Sequence, residues 1–376
     1  MMLAVNRIGL HGRLAALGAV SLAAAVLGAC HKTNTPVGTK GLWIANGTTV
    51  LEYIPKQLGT GTSAAVPHLT ISSGSFGSPQ GVTFDSKGNL WVMDPTGMVN
   101  GAQTPALFEF SAAQLAALAT DNAPDPVATI TSTSFAVPQQ SVFDAQGNQW
   151  VTDHDNNTVL VFTAAQLAMT GTNNLNPAVV ISSTTFNGPL GVAFDSAGNL
   201  WVANNGGVTV NGVTSPAGTT IVEFTAATLP APPATGMLTP MLTPEITLSD
   251  DGTNSIQAPW ELAFDSSGDL WSSNSGATFS LVEFAKASLA MTGAPMPAVT
   301  INSMMVAGNA TLSATNGLCI DDAGNVAATS SATPFGTAYY TKNQLMTGAP
   351  TPDTFFVGTA TTLMNVAGCN FGPNVN

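Results

Sequence analysis

The sequence predicts an all-β protein: a six-bladed β-propeller closed by a C-terminal inner strand that joins the N-terminal blade. Three observations predict it. A hairpin pattern, clearest over residues 191–202, recurs six times at a period of roughly 50 residues. The composition is 44% hydrophobic but only 8% charged, so Ser, Thr, Asn, Gln and Gly carry the solubility, a mixture that suits strands and turns. Finally, the chain opens with a repeat lacking its first strand and ends with a spare one.

Each hairpin reads the same way. Val192 and Phe194 alternate into one strand, and Leu200, Trp201 and Val202 form its return. Between them, Asp195 to Gly198 has turn chemistry: a carboxylate to accept turn amides and a glycine free to take positive φ. The first unit supplies only the return strand around Trp43, then strands at Val50–Tyr53 and Pro67–Ile71. The second is complete, with a hairpin over residues 81–92, a third strand at Leu107–Phe110, a capped helical turn at Ser111–Leu115 and a fourth strand at Pro126–Ile130. The third, fourth and fifth repeat this around Trp150, Trp201 and Trp271. The fourth also carries Gly/Pro/Thr-rich insertions at 206–220 and 230–243. The sixth is eroded, with Ala327 in the Trp position. Residues 366–371 align with 189–194, so the C-terminus is expected to supply the inner strand of the first blade and to remove two exposed edges.

The recurring Gly-x-x-Phe-Asp-x-x-Gly-Asn-Leu-Trp-Val pattern resembles NHL-repeat propellers and is similar to the streptogramin lyase and gluconolactonase groups. The resemblance covers residues 41–372. It implies the propeller fold and says little about chemistry.

The N-terminus reads as a targeting segment. Arg7 and Arg13 precede an apolar stretch, Leu14–Leu27, too short to favour a spanning helix. It ends in Leu27, Gly28, Ala29 and Cys30, which resembles a bacterial lipobox. The resemblance implies a lipoprotein signal peptide over 1–29, a lipidated Cys30 and tether over 30–40, and the propeller over 41–376. His31 after the Cys, by the same resemblance, favours the outer membrane. After residue 30 there are six lysines against 21 acidic residues and no arginine. That balance excludes nucleic acid as a partner and electrostatic docking on anionic lipid. Membrane contact through the lipid anchor alone, in the cell envelope, is the expectation, with the propeller a monomer.

The two other cysteines, Cys319 and Cys369, fall on inner strands of the sixth and closing blades with opposite parity. They read as a candidate disulfide, or as two buried thiols.

In a propeller, the loops entering each inner strand and leaving each second strand gather on one face around the channel mouth. Residues expected on this rim are Gln80, Gln139, Leu190, Trp260, Asn316 and Ala367 before the inner strands. Three positions past each Trp come Asn46, Asp94, Asp153, Asn204, Asn274 and Ser330. Trp260 is out of repeat register, and Glu261 stands where other blades have Gly; the pair reads as a stacking and hydrogen-bonding site or as a channel plug. Asp153, His154, Asp155 and Asn156 form the densest titratable cluster. His154 is the one candidate acid or base, and the cluster reads equally as a solvated turn. Oxygen ligands at Asp94, Asp153, Glu261 and Asn316 leave Ca²⁺ or Mg²⁺ open as a cofactor. Asn316 resembles a gluconolactonase ligand, but that group's full set of four is not matched. Asp250–Asn254 resembles a cation loop without its later Glu. The tip aspartates Asp85, Asp144, Asp195, Asp265 and Asp321 are expected to form turns, and Glu52, Glu109, Glu223 and Glu283 to point outward from third strands.

Two function classes follow: a non-catalytic binding or scaffold module for an envelope protein or small ligand, and, by resemblance, a metal-assisted lyase or lactonase. The sequence holds no phosphate loop, zinc spacing or Ser-His-Asp arrangement, which favours the first.

Overall fold

The computed structural model describes residues 38–375, apart from 60, 64, 119–121, 211, 334 and 358–361. Cys30 and the segment before Gly38 lie outside the described residues. Among the described residues no helix is long and apolar enough to cross a membrane.

Six four-stranded antiparallel sheets form the blades. Blade 2 runs outward from Gly81–Phe84 through Leu90–Asp94 and Ala106–Phe110 to Ala128–Thr131. Blade 3 begins at Pro138–Phe143, blade 4 at Pro189–Phe194, blade 5 at Pro259–Phe264 and blade 6 at Thr315–Ile320. Blade 1 places the C-terminal strand Val366–Gly372 inside Gly41–Asn46, Thr49–Tyr53 and Leu69–Ile71. Val366–Gly372 packs between the inner strands of blades 6 and 2, so the six inner strands follow one another around a ring.

The tip aspartate explains the repeat motif. Asp195 Oδ1 accepts from the amides of Ala197 and Asn199 at 2.8 and 2.9 Å, and Oδ2 accepts from the Asn199 side chain and the Trp201 indole. Gly198 sits at φ 83°, which closes the turn without Cβ strain. Asn199 Oδ1 then receives the Ala226 amide, fixing the segment that follows the third strand. Asn89, Asn148 and Asn325 do the same in their blades. Between blades, Trp43, Trp91, Trp150 and Trp201 each meet the inner-strand Phe of the next blade edge-on, as Trp150 does Phe194 at 5.5 Å; blade 6 has Ile320 at that position.

One feature was not visible in the repeat pattern. The connection between third and fourth strands of each blade lies against the outer edge of the preceding blade. Gly171–Asn174 runs parallel to Ala128–Thr131. Leu238 and Met241, from the 230–243 insertion, bridge Val179 and Ser182. Gly293 and Gly348 bridge Leu248 and Ile301, Gly61–Ser63 flanks Thr354–Val357, and the Ser72 amide donates to the Asn122 carbonyl. Every outer edge is thereby covered, which removes the strand edges that invite aggregation. The 206–220 insertion instead extends strands two and three of blade 4 and adds a small hairpin at Thr209–Thr214.

The third-strand glutamates do not point outward. Glu52 and Glu223 are buried directly across from Trp43 and Trp201, and Glu109 and Glu283, opposite Trp91 and Trp271, are half-buried. They occupy the inter-blade face because the indole beside them faces that way. Burial pushes the Glu52 and Glu283 carboxyls up to about 7, with Asp269 and Asp265 adding to the rise at Glu283.

Candidate functional site

The polar rim three residues past each Trp is a set of structural ties. Asp94 Oδ2 accepts the Gly77 amide at 2.7 Å, and Asp153 Oδ2 the Ala136 amide at 2.7 Å. Asn204 and Asn274 accept the amides of Asn187 and Gln257, each at 3.0 Å, and Ser330 that of Ser313 at 3.1 Å. The separation is 17 residues in all five. Asn46 does the same for Met364 in the closing blade. Each side chain thus holds the segment that enters its own blade's inner strand. Asp94, Asp153 and Asn274 are fully buried and Asn204 is 1% exposed, so the expectation of an open acidic rim is corrected. Any short acceptor serves, which is why Asp, Asn and Ser interchange.

Asp153→Ala leaves the Ala136 and Val137 amides without their acceptor. It is expected to lower the unfolding free energy by about 2–3 kcal/mol, whereas Asp153→Asn, the residue blades 4 and 5 use, recovers most of the loss in a urea titration.

His154 is also a tie. Its Nδ1 lies 2.6 Å from Asp155 Oδ1 and its Nε2 donates to the Gly206 carbonyl at 2.8 Å. The ring bridges blade 3 to the 206–220 segment with both nitrogens engaged, an arrangement that leaves neither free for proton transfer to a ligand. Gly188, at φ 62°, makes room: a Cβ there would fall 2.7 Å from His154 Nε2.

The channel is organised by two side chains at a position otherwise held by glycine. Gly81, Gly191, Gly317 and Gly368 occupy it in four blades, because a Cβ at Gly191 would lie 2.5 Å from the Trp260 carbonyl and one at Gly317 2.7 Å from that of Ala367. Blades 3 and 5 carry Gln140 and Glu261 instead, whose side chains bond the inner strands of nearby blades. Gln140 Nε2 donates to the Gln80 carbonyl at 3.2 Å. Glu261 Oε2 accepts the Leu318 amide at 2.7 Å, and the carboxyl also receives the Cys369 amide. Burial pushes Glu261 up to about 8, and these two amides offset only part of that rise. Around it, hydroxyls relay between blades. Thr152, Ser273 and Thr329 each accept an inner-strand amide and donate to the next blade's carbonyl, at Leu190, Asn316 and Ala367. Gln140 went unnoticed in the sequence, although its break of the glycine register is the same signal that Glu261 gives.

Beyond this plug, a cavity of about 210 Å³ is lined by all six inner strands, with Thr83, Gln140, Ser141, Glu261 and Asn370 as its polar groups. Of the residues expected at the channel mouth, it gathers Glu261 alone. Gln80, Gln139, Trp260 and Asn316 sit outside it. Gln80 and Asn316 take part through their carbonyls. The Gln139 Oε1 and the Trp260 indole N–H are buried without partners. The cavity therefore lies on the hairpin-tip side of the inner strands, where Phe194, Phe264 and Ile320 line it. Among the described residues no three His, Cys, Asp or Glu side chains gather to hold a metal, so Asp94, Asp153, Glu261 and Asn316 do not form one coordination sphere. Beside the cavity, Cys319 and Cys369 are joined in a disulfide with Cα atoms 5.8 Å apart, linking blade 6 to the C-terminal strand.

A wider groove of about 570 Å³ lies on the hairpin face between blades 3 and 4, with Phe143, Trp150 and Phe194 at its apolar side. The tip carboxylates Asp144 and Asp195 that rim it are already committed to their own turns.

No family model and no curated protein matches the sequence. Solved structures do. A protein of unknown function from Bacteroides caccae aligns with a TM-score of 0.56 at 9% identity, covering 89% of this chain and 100% of its own. A functionally unknown protein from Desulfotomaculum acetoxidans gives 0.52 at 9% identity over 90% and 88%. A streptogramin B lyase gives 0.37 at 13% identity over 71% and 70%. The likeness is one of fold. It places the chain among propeller proteins and leaves its chemistry to be argued from its own residues.

Proposed function

We propose that this chain is a cell-envelope lipoprotein, anchored through Cys30, whose propeller is a non-catalytic platform for a protein or small-ligand partner. One observation supports the platform reading above others. The loop-face groups that would serve as acids, bases or metal ligands (Asp94, Asp153, His154, Asn204 and Asn274) hold the protein's own backbone or loops. A catalytic set needs at least one such group presented to substrate.

The first described residues are tied to blade 6. The Gly38 amide donates to the Asp321 carboxylate, and Thr39 donates to Asp322 through both its amide and its hydroxyl. Asp322 is the one acidic residue at that turn position among the repeats, and its contact with Thr39 holds its carboxyl below the usual range. Gly38 and Thr39 are thereby fastened to the hairpin tip of blade 6.

Two measurements test the reading. Full-length protein should partition with membranes and incorporate labelled acyl chains, and Cys30→Ala should abolish both. Capture from detergent-solubilised envelopes should recover a partner that loop-face substitutions in residues 206–220 release. Soluble, unacylated full-length protein would remove the anchor; turnover of a lactone or lyase substrate would remove the platform in favour of the enzyme.

A further inference from the structure

Methionine is ordinarily among the residue types most often buried. Here Met93 is fully buried while eight methionines are 42–78% exposed. Met305 and Met364 precede the inner strands of blades 6 and 1; the other six, Met169, Met237, Met241, Met291, Met296 and Met346, lie in connections between third and fourth strands, the belt that covers the blade edges. Their register is systematic. In blade 3 Leu167 turns inward at 7% exposure and Met169 outward; in blade 5 Leu289 turns inward at 8% and Met291 outward. The inward leucine belongs to a core cluster, and the outward methionine does not. The six are spread over blades 3 to 6, among threonine, glycine and proline, so they do not form one docking patch.

We propose that these perimeter methionines are a reversible oxidation site, which consumes peroxide-class oxidants at thioethers the fold does not need. The thioether sulfur attacks the peroxide O–O bond. The S–O bond forms as the O–O bond breaks, sulfur gives up two electrons, and the second oxygen leaves as water after taking up a proton. The product, methionine sulfoxide, is polar, which a core would not tolerate and a solvated belt does. Reduction by methionine sulfoxide reductases returns the thioether. Met93 is the internal contrast: it is buried, and the Ser141 hydroxyl lies 3.2 Å from its sulfur.

The test is peptide mapping of the folded full-length protein during hydrogen peroxide treatment, with melting temperature followed in parallel. All six perimeter residues should gain one oxygen each, at least about tenfold faster than Met93, with a melting shift within about 2 °C, and a mixture of the two stereospecific reductases should reverse the gain. Met93 oxidising in step with the belt, or a melting temperature that falls as the belt is oxidised, would overturn the proposal. A variant with the six replaced by Leu gives the second arm. Under limiting hydrogen peroxide its Met93 should be oxidised to a greater extent than in the natural protein; an equal extent would show that the belt consumes no oxidant on the fold's behalf.

Discussion

Replacing Cys319 and Cys369 together by serine is expected to cost about 3–4 kcal/mol of unfolding free energy, the largest effect of any change away from the hydrophobic core. The bridge spans 50 residues of sequence, so it removes substantial chain entropy from the unfolded state. Its position adds to this. Val366–Gly372 pairs with Gly41–Asn46 from the far end of the described residues, so no short turn ties it to the rest of blade 1. Contacts to both neighbouring blades and across the channel hold it inside the ring: the disulfide to blade 6, the Cys369 amide on Glu261, the Gly368 amide on the Gln80 carbonyl at 2.8 Å and the Thr329 hydroxyl on the Ala367 carbonyl. Without the first, local opening of blade 1 becomes the weakest step. Hydrogen exchange should therefore show amides of 366–372 and 41–46 losing protection before those of blades 3 and 4, and the urea midpoint should fall. Reductant should reproduce the shift in the natural protein and leave the double variant unchanged. A midpoint that does not move would show that packing and hydrogen bonds alone close the ring.

The second large effect is pH dependence through Glu261. An unfolded Glu releases its proton near 4.5, whereas this one keeps it up to about 8. Between these values the folded state binds more protons than the unfolded state, so stability falls as pH rises. Glu261 alone corresponds to roughly 4 kcal/mol lost between pH 4.5 and 8.5, as an upper figure. Glu52 and Glu283, pushed up to about 7, act in the same direction. Glu261→Gln keeps an acceptor for the Leu318 amide and has no proton to lose. Its melting temperature should therefore change less between pH 5 and 9, crossing the natural protein's falling curve. Parallel curves would show that Glu261 is ionised in the folded ring and that its two amides outweigh burial.

The blades were legible because one short motif writes both halves of a hairpin and its turn. Asp195, Gly198 and Asn199 have roles fixed within a few residues of themselves, and local chemistry is what a sequence displays. The same reasoning failed where a side chain's partner lies far off in the chain. Asp153 looked like a free rim carboxylate because its partner, Ala136, contributes only a backbone amide, and amides leave no mark on a sequence. His154 looked reactive because its second partner, the Gly206 carbonyl, belongs to another blade. Glu223 looked outward because strand alternation gives two faces without saying that both are buried between blades. The edge-covering belt was hidden for the same reason: Gly171–Asn174 pairs by backbone, in parallel, with a strand of the preceding blade. Glu261 stands out in the sequence because it breaks a register that four blades keep, and Gln140 breaks the same register in blade 3.

The most direct test of the account is the melting temperature of the protein in detergent, measured with chelator and then with Ca²⁺, Mg²⁺ and Mn²⁺ at millimolar concentration. Asp94 and Asp153 are occupied by backbone amides, which leaves no place for a cation between them. A change within about 1 °C is expected for every ion, in the natural protein and in Asp153→Asn alike, since only a ligand of the folded state raises the midpoint. A rise of several degrees with one cation, abolished by Asp153→Asn or Asn316→Ala, would contradict that expectation and turn the loop face into a metal site.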